Sequence, residues 1–248
     1  MIDFHTHSLP EIDDGSRSLE ESISILEQQK EAGVKTVLVT PHFYPDQEVA
    51  TFEANRTEAR ARLQGAIQEL GLEVRTGAEV LLSVDTCQLE HLEALCIEGA
   101  RYILLEMPYS HWSDWVYTSV EKVKDKGFVP IIAHVERYDT VMDNPNCLIP
   151  FLEMGCVLQL NTVSLHKASS RRKLAHKLVK HGFVHILGSD VHKEKVFHPV
   201  SCGYKTLQEG CGQEVVEQMQ RIGVQILENK KVDFPVVKPF KKILGRWY

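Results

Sequence analysis

The run Val34-Lys35-Thr36-Val37-Leu38-Val39-Thr40, stopped by Pro41-His42, decides the fold. It is short and rich in β-branched residues, which suits a strand buried on both faces, as strands of a parallel sheet between helices are. On its N-terminal side, Ser18-Leu19-Glu20-Glu21 reads as a capping box opening a helix that carries Leu19, Ile23 and Leu26 at helical spacing and closes near Gly33. Ahead of that helix lie a polar loop with Pro10 and Gly15 and a first strand, Ile2 to His5. Strand, helix, strand is a βαβ unit.

The same grammar continues downstream. A helix over Thr51 to Leu70, with Leu63, Ile67 and Leu70 on one face, is closed by Gly71 before a strand from Leu72 to Gly77. Between Leu81 and Gly99 both a short helix and an extra strand fit. Tyr102 to Leu105 predicts a fourth strand, Trp112 to Lys126 a helix, and Val129 to Ala133 a fifth strand. A helix over Pro145 to Met154, a strand over Val157 to Leu160, a basic helix over Ser164 to His181 and a strand over Val184 to Leu187 follow. A last helix, Gln213 to Glu228, leads to a tail, residues 230–248, whose six Lys or Arg predict loose order. Right-handed crossovers and seven such units suit a distorted TIM-like (βα)7 barrel over residues 1–229 in one α/β domain, with an open doubly wound sheet as the alternative. No G-x-G-x-x-G or Walker loop follows the first strand, which disfavours nucleotide binding.

Composition narrows the function. A formal charge of −6 gives no reason to expect nucleic-acid binding. There is no basic region followed by an apolar segment at the start, and no apolar run approaches the roughly 18 residues of a spanning helix, so the expectation is a cytoplasmic protein without membrane insertion. Six cysteines lie dispersed with no Cys-x-x-Cys pair and read as reduced thiols. None has arginine six positions later, which excludes the Cys-x5-Arg chemistry of cysteine phosphatases. Oligomeric state is left open.

Twelve histidines are many for this length, and where they fall is informative. His5 and His7 offer two imidazoles to one ion from a strand end, because alternate strand residues point the same way. His42, Glu79, Glu106, His134, and Asp190 with His192 also lie at or just past the carboxyl ends of predicted strands, and Asp14 comes from the loop after the first. In a parallel barrel those ends share the face where active sites are built. Singly, each has a plainer reading. His5-x-His7 arises by chance, His134 fits a hydrogen-bonded core histidine, Asp190 fits a helix cap, and Glu106 after an apolar run needs a cation that an arginine would also supply. Their recurrence at one topological position favours a metal centre. Nine ligands exceed one ion and suit two or three, and a His and carboxylate set without cysteine points to Mn, Fe or Zn. Clustered ions stabilise the oxygens of phosphoryl transfer and generate hydroxide near neutral pH, which describes a hydrolase. Arg137 offers a bidentate fork for phosphate, or a surface pair with Glu136.

Together, Ile2-Asp3-Phe4-His5-Thr6-His7, Leu9-Pro10, Asp13-Asp14-Gly15, Thr40-Pro41-His42, Gly77-Ala78-Glu79, Leu105-Glu106, Ala133-His134-Val135-Glu136-Arg137 and Ser189-Asp190-Val191-His192 resemble the PHP (polymerase and histidinol phosphatase) superfamily. Within it the likeness is to bacterial protein-tyrosine phosphatases of capsule and exopolysaccharide biosynthesis, and the basic, aromatic end from Lys241 to Tyr248 shares it. The resemblance implies a (βα)7 barrel with three metal ions, usually manganese. It places His5, His7, Glu79 and Asp190 on the first ion, Glu79, Glu106 and His134 on the second, and Asp14, His42 and His192 on the third. It implies a phosphotyrosine protein as substrate, notably a tyrosine autokinase that controls polysaccharide assembly, with Arg137 on the phosphate and hydrolysis by metal-activated hydroxide. Val135 departs from a frequent proline and is expected to loosen the turn that places Arg137. The alternatives are a small-molecule phosphatase of the histidinol phosphate kind, an amidohydrolase, and a catalytically silent regulator of the kinase.

Overall fold

Ile2–Thr6 (β1) and Thr36–Val39 (β2) pair in parallel on either side of the helix Leu19–Glu31 (α1), the βαβ unit expected. The structure, a computed structural model, describes residues 1–109, 111–243 and 245–247. At the start of α1, Ser18 Oγ accepts the Glu21 amide at 3.2 Å, while the Glu21 carboxylate reaches back one residue further than a capping box does, to the Arg17 amide at 3.0 Å. Ile25 and Leu26 are the apolar side chains that α1 buries fully; Leu19 and Ile23 are half-buried.

Proline has no amide for a ladder, and Pro41 splits the second strand, leaving a separate two-residue segment, His42–Phe43 (β3). The helix predicted over Thr51–Leu70 is two, Val49–Arg62 (α2) and Gln64–Leu70 (α3), with Gly71 left-handed behind them. The third strand is also split, at Gly77-Ala78, into Glu73–Thr76 (β4) and Glu79–Leu81 (β5). β4 pairs with β2 and β5 with β3. Bonds from the Gly77 amide to the Val39 carbonyl at 2.9 Å, and from Glu79 to Pro41 at 3.0 Å, carry the ladder across both breaks.

The segment left open between Leu81 and Gly99 holds two 3-10 turns, Thr86–Gln88 and Leu92–Leu95. Then come Tyr102–Glu106 (β6), Asp114–Asp125 (α4), Val129–Ile132 (β7), Asp139–Asp143 (α5), Ile149–Glu153 (α6), Val157–Asn161 (β8), Arg172–Lys180 (α7), Ile186–Gly188 (β9), Val200–Cys211 (α8) and Gln213–Leu227 (α9). The basic helix predicted from Ser164 starts only at Arg172, because a 3-10 turn, Thr162–Leu165, occupies its first residues. β3 and β5 to β9 run parallel in the order β3-β5-β6-β7-β8-β9. The ring closes where Asp190 donates to the His5 carbonyl at 2.8 Å and His7 to the Val191 carbonyl at 2.9 Å. Asp3 fastens this seam: its Oδ1 accepts the Ser189 amide at 2.8 Å and its Oδ2 the Gln29 amide at 2.7 Å. Counting each split strand once, this is the distorted (βα)7 barrel.

Alternation sorts the strand residues into two cores. Val37 and Val39, Ile103 and Leu105, Ile132 and Leu187 pack outward under the helices. Leu38, Leu104, Ile131 and Ile186 fill the barrel together with Phe4, and Ile222 and Ile226 of α9 join them from below. The tail is not loose through Phe240. The Phe240 ring stacks on His181 at 3.9 Å, the Lys238 amide donates to the His181 carbonyl, and Asn146 and Phe240 exchange two hydrogen bonds. His181, which reads as a solvated residue of a basic helix, is thus an anchor for the tail. Among the described residues no helix is long and apolar enough to cross a membrane.

Candidate metal centre

β1 does not keep strict alternation: its register slips between Asp3 and Thr6. The slip lets Phe4 enter the barrel core while His5 and His7 both turn to its upper rim, as bulges at barrel ends re-aim side chains. Their Nε2 atoms stand 3.0 Å apart. Glu79 Oε2, brought by β5, is 3.0 Å from the first and 3.2 Å from the second; Asp190 Oδ1, just past β9, is 3.5 and 3.4 Å from them. Ligands about 2.0–2.1 Å from an ion in a tetrahedron are separated by about 3.3–3.4 Å, so these four atoms have the spacing of one coordination shell.

Two further groups share residues with this one. His42 Nδ1 is 3.1 Å from Glu79 Oε2, and ligand atoms of His42, Glu79 and Glu106 gather within 4.8 Å. His134 Nε2 approaches the same two carboxylates, at 2.8 Å from Glu79 Oε1 and 3.7 Å from Glu106 Oε1. On the other side, Asp14 Oδ1 lies 3.6 Å from His42 Nε2 and 3.5 Å from His192 Nε2, in a group that also takes in His7. All nine residues singled out in the sequence therefore converge. The sequence resemblance puts His42 in one group; here it faces two.

Backbone strain marks two of the nine. His134 (φ 30°) and Asp190 (φ 55°) are left-handed, a conformation that costs a non-glycine residue about 1–3 kcal/mol and collects at functional sites. The turn at His134 starts the 3-10 turn Val135–Arg137 and delivers Arg137, whose Nη1 donates to Asp190 Oδ2 at 2.8 Å. Val135 in place of proline is fully buried, and Arg137 reaches the site with it there. Glu136 is not the partner of Arg137: it is buried and accepts from Ser164 Oγ at 2.7 Å and the Asn161 amide at 3.2 Å.

The charges of the clustered side chains depend on one another. Burial opposes the imidazolium of His5 and of His7. Glu79 and Asp190 outweigh it for His5, and hydrogen bonds to Asp13, Asp190 and Glu79 outweigh it for His7, so both pKa values are raised. Burial likewise opposes the Glu79 and Asp190 carboxylates, yet His5 and the other facing imidazoles hold both well below the ordinary range. Positive charge is thus favoured among these buried carboxylates, where a divalent cation fits.

Residues that sequence reasoning did not assign support the nine. Asp13 Oδ2 takes His7 Nδ1 at 2.7 Å and the His42 amide at 2.9 Å. Gln159 Oε1 accepts the His134 amide at 2.7 Å and lies 3.4 Å from His5 Nδ1; its Nε2 donates to Asn161, whose amide donates to Asp190 Oδ2 at 2.7 Å. A lone amide inside the apolar run from Val157 to Leu160 was the available signal. Gly15 and Gly188 leave room for this packing, since a Cβ at either would sit 2.5 and 2.6 Å from the Cβ of His7 and His5.

The CpsB/CapC family, described as capsular polysaccharide synthesis, matches residues 1–227. The chain belongs to it. Among relatives, this CpsB/CapC chain is 27% identical to the tyrosine-protein phosphatase YwqE of Bacillus subtilis over 98% of its own length and 97% of the relative's. It is 29% identical to the tyrosine-protein phosphatase CpsB of Streptococcus pneumoniae over 77% and 83%. A crystal structure from work on YwqE and CpsB, described as metal-dependent tyrosine phosphatases, superposes with a TM-score of 0.87 at 25% identity, covering 97% of this CpsB/CapC chain and 100% of the other.

Proposed function

We propose that the chain is a metal-dependent protein-tyrosine phosphatase of the capsule system. The observation that carries this reading is the cage of His5, His7, Glu79 and Asp190, with Arg137 bonded to its rim, in a CpsB/CapC chain. His5, His7, Glu79 and Asp190 would hold one ion, Glu79, Glu106 and His134 a second, and Asp14, His42 and His192 a third. An oxygen and nitrogen set without thiolate suits manganese, iron or zinc, and the family resemblance selects manganese among them. Such ions supply Lewis-acid charge and a nucleophile at neutral pH. The protein's own part is positioning. Arg137 spends one N–H on Asp190 and keeps others for the phosphoryl oxygens, where charge builds as the ester bond breaks. Gln159 and Asn161 orient His5, His134 and Asp190, so little reorganisation accompanies reaction.

The substrate would be a phosphotyrosine protein, in particular the tyrosine autokinase of polysaccharide assembly, met in the cytoplasm. Residues 1–229 would form the catalytic barrel and residues 230–248 its basic appendage. Metal-free protein reloaded with Mn²⁺ and assayed on a phosphotyrosine peptide beside histidinol phosphate tests this. Faster hydrolysis of the peptide is expected. Preference for histidinol phosphate, or no turnover of either, would overturn it.

A further inference from the structure

Tyr44 and Tyr109 are exposed, at 41% and 44%, although each belongs to the wall of the metal centre. Tyr44 follows β3, and its ring stacks on His42 at 5.6 Å and 26°. Tyr109 follows β6, and its ring lies nearly parallel to His134 at 6.3 Å and 13°. Those two histidines reach different oxygens of one carboxylate: His42 Nδ1 is 3.1 Å from Glu79 Oε2, and His134 Nε2 is 2.8 Å from Glu79 Oε1. Two partly exposed aromatic rings, from the segments after β3 and β6, therefore stand beside histidines that share Glu79.

Tyr109 is held there before any ligand arrives. Its hydroxyl donates to Glu106 Oε1 at 2.9 Å, and its ring leans on Tyr138 at 5.7 Å. The Arg137 guanidinium lies 5.3 Å from its centroid. A phosphoryl group on Arg137 would thus have this ring close by. Aromatic rings that are partly exposed and fixed in orientation are suited to contact with another ring at little entropic cost.

Building on the phosphatase reading above, we infer that Tyr44 and Tyr109 are the walls of a subsite for the aryl ring of the substrate and set its preference for aryl over alkyl phosphate monoesters. The test uses the full-length, Mn²⁺-loaded protein and calorimetric binding of phenylphosphonate and methylphosphonate, with KM and kcat on phenyl phosphate measured alongside. Tyr44→Ala and Tyr109→Ala should each weaken phenylphosphonate binding and raise KM by about 3- to 10-fold, the range that aromatic pairing supplies. Methylphosphonate affinity should move less than about 2-fold. Tyr44→Phe and Tyr109→Phe keep the ring and should keep phenyl preference, which separates stacking from the Tyr109 hydroxyl bond. Equal weakening of both phosphonates in the alanine variants, or loss of preference in the phenylalanine variants, overturns the inference. Phenyl preference without turnover would support this subsite and overturn the phosphatase reading; turnover without phenyl preference in the unaltered protein would do the reverse.

Discussion

The guanidinium of Arg137 donates to Asp190 Oδ2 at 2.8 Å while the other oxygen of that carboxylate stands 3.5 and 3.4 Å from the Nε2 atoms of His5 and His7. One side chain thus joins the cage to the group proposed for phosphate. Arg137→Ala should lower kcat/KM on a phosphotyrosine peptide by on the order of 100-fold, as removal of one preorganised donor to transition-state charge does. Arg137→Lys should recover part of this, because an ammonium cannot bond Asp190 and hold a phosphoryl group in a planar fork together. Elemental analysis should find the metal retained in both variants; if the metal leaves with the arginine, its role is structural.

Asp13 acts on the centre through His7 and His42. Its carboxylate fixes the His7 ring by accepting from Nδ1, which leaves Nε2 for the cage, and it ties down the His42 backbone. Asp13→Ala should weaken metal binding by about 10- to 100-fold, the usual effect of losing such an orienting partner. Metal titration followed by circular dichroism checks both affinity and fold. Unchanged affinity would remove Asp13 from this role.

The contrast between Asp13 and Asp14 shows how far the sequence could be read. The candidate residues at strand ends were legible because a parallel barrel gathers those ends on one face, and all nine side chains meet there. Adjacent aspartates in a loop carry no periodicity, so nothing local tells which one faces the centre and which one backs a histidine. The seven strands were legible from apolar runs such as Tyr102–Leu105, and the stop at Pro41 from its missing amide, but the resumption of pairing beyond Pro41 and Gly77 as β3 and β5 depends on neighbouring strands and was not. α8 was missed although Val200, Tyr204 and Leu207 are helically spaced and buried: Gly203 and Gly210 interrupt the helix-forming signal, and Gly203 is there because Thr162 packs against it. The tail looked loose from its charges; Phe240 docks by stacking on His181, a contact between elements far apart in sequence.

Metal loading should release protons. His5 and His7 have raised pKa values in the metal-free cluster, so the part of their pairing energy that depends on imidazolium is present below the ordinary histidine pKa and is lost as pH rises through the raised values. Glu79 and Asp190 are depressed, so their share is present above the ordinary carboxylate range and is lost only as pH falls through the lowered values. An ion binding the His Nε2 atoms must displace their protons, and apparent affinity should fall as pH falls. Calorimetric titration of Mn²⁺ in two buffers of different ionisation enthalpy should give different heats. Identical heats would mean that the histidines are already neutral.

A buried histidine outside the centre should make stability fall in acid. His185 is fully buried; its Nδ1 accepts the Leu158 amide at 2.9 Å, its Nε2 has no hydrogen-bond partner among the described residues, and its ring packs edge-on with Phe234 at 4.8 Å. Burial pushes its pKa down to about 3. The depressed value means that the unfolded chain binds a proton below about pH 6.5 that the folded chain refuses, so stability present above that pH is lost as pH falls toward 3. The loss approaches about 1.4 kcal/mol per pH unit within that window. His185→Asn keeps an acceptor for the Leu158 amide and does not titrate, and the space it leaves is a pH-independent cost. Urea unfolding of both metal-free proteins between pH 7 and pH 4 should therefore show the unaltered protein losing its advantage steadily as pH drops. Parallel curves across that range would show that His185 is protonated in the native state or hydrated within it.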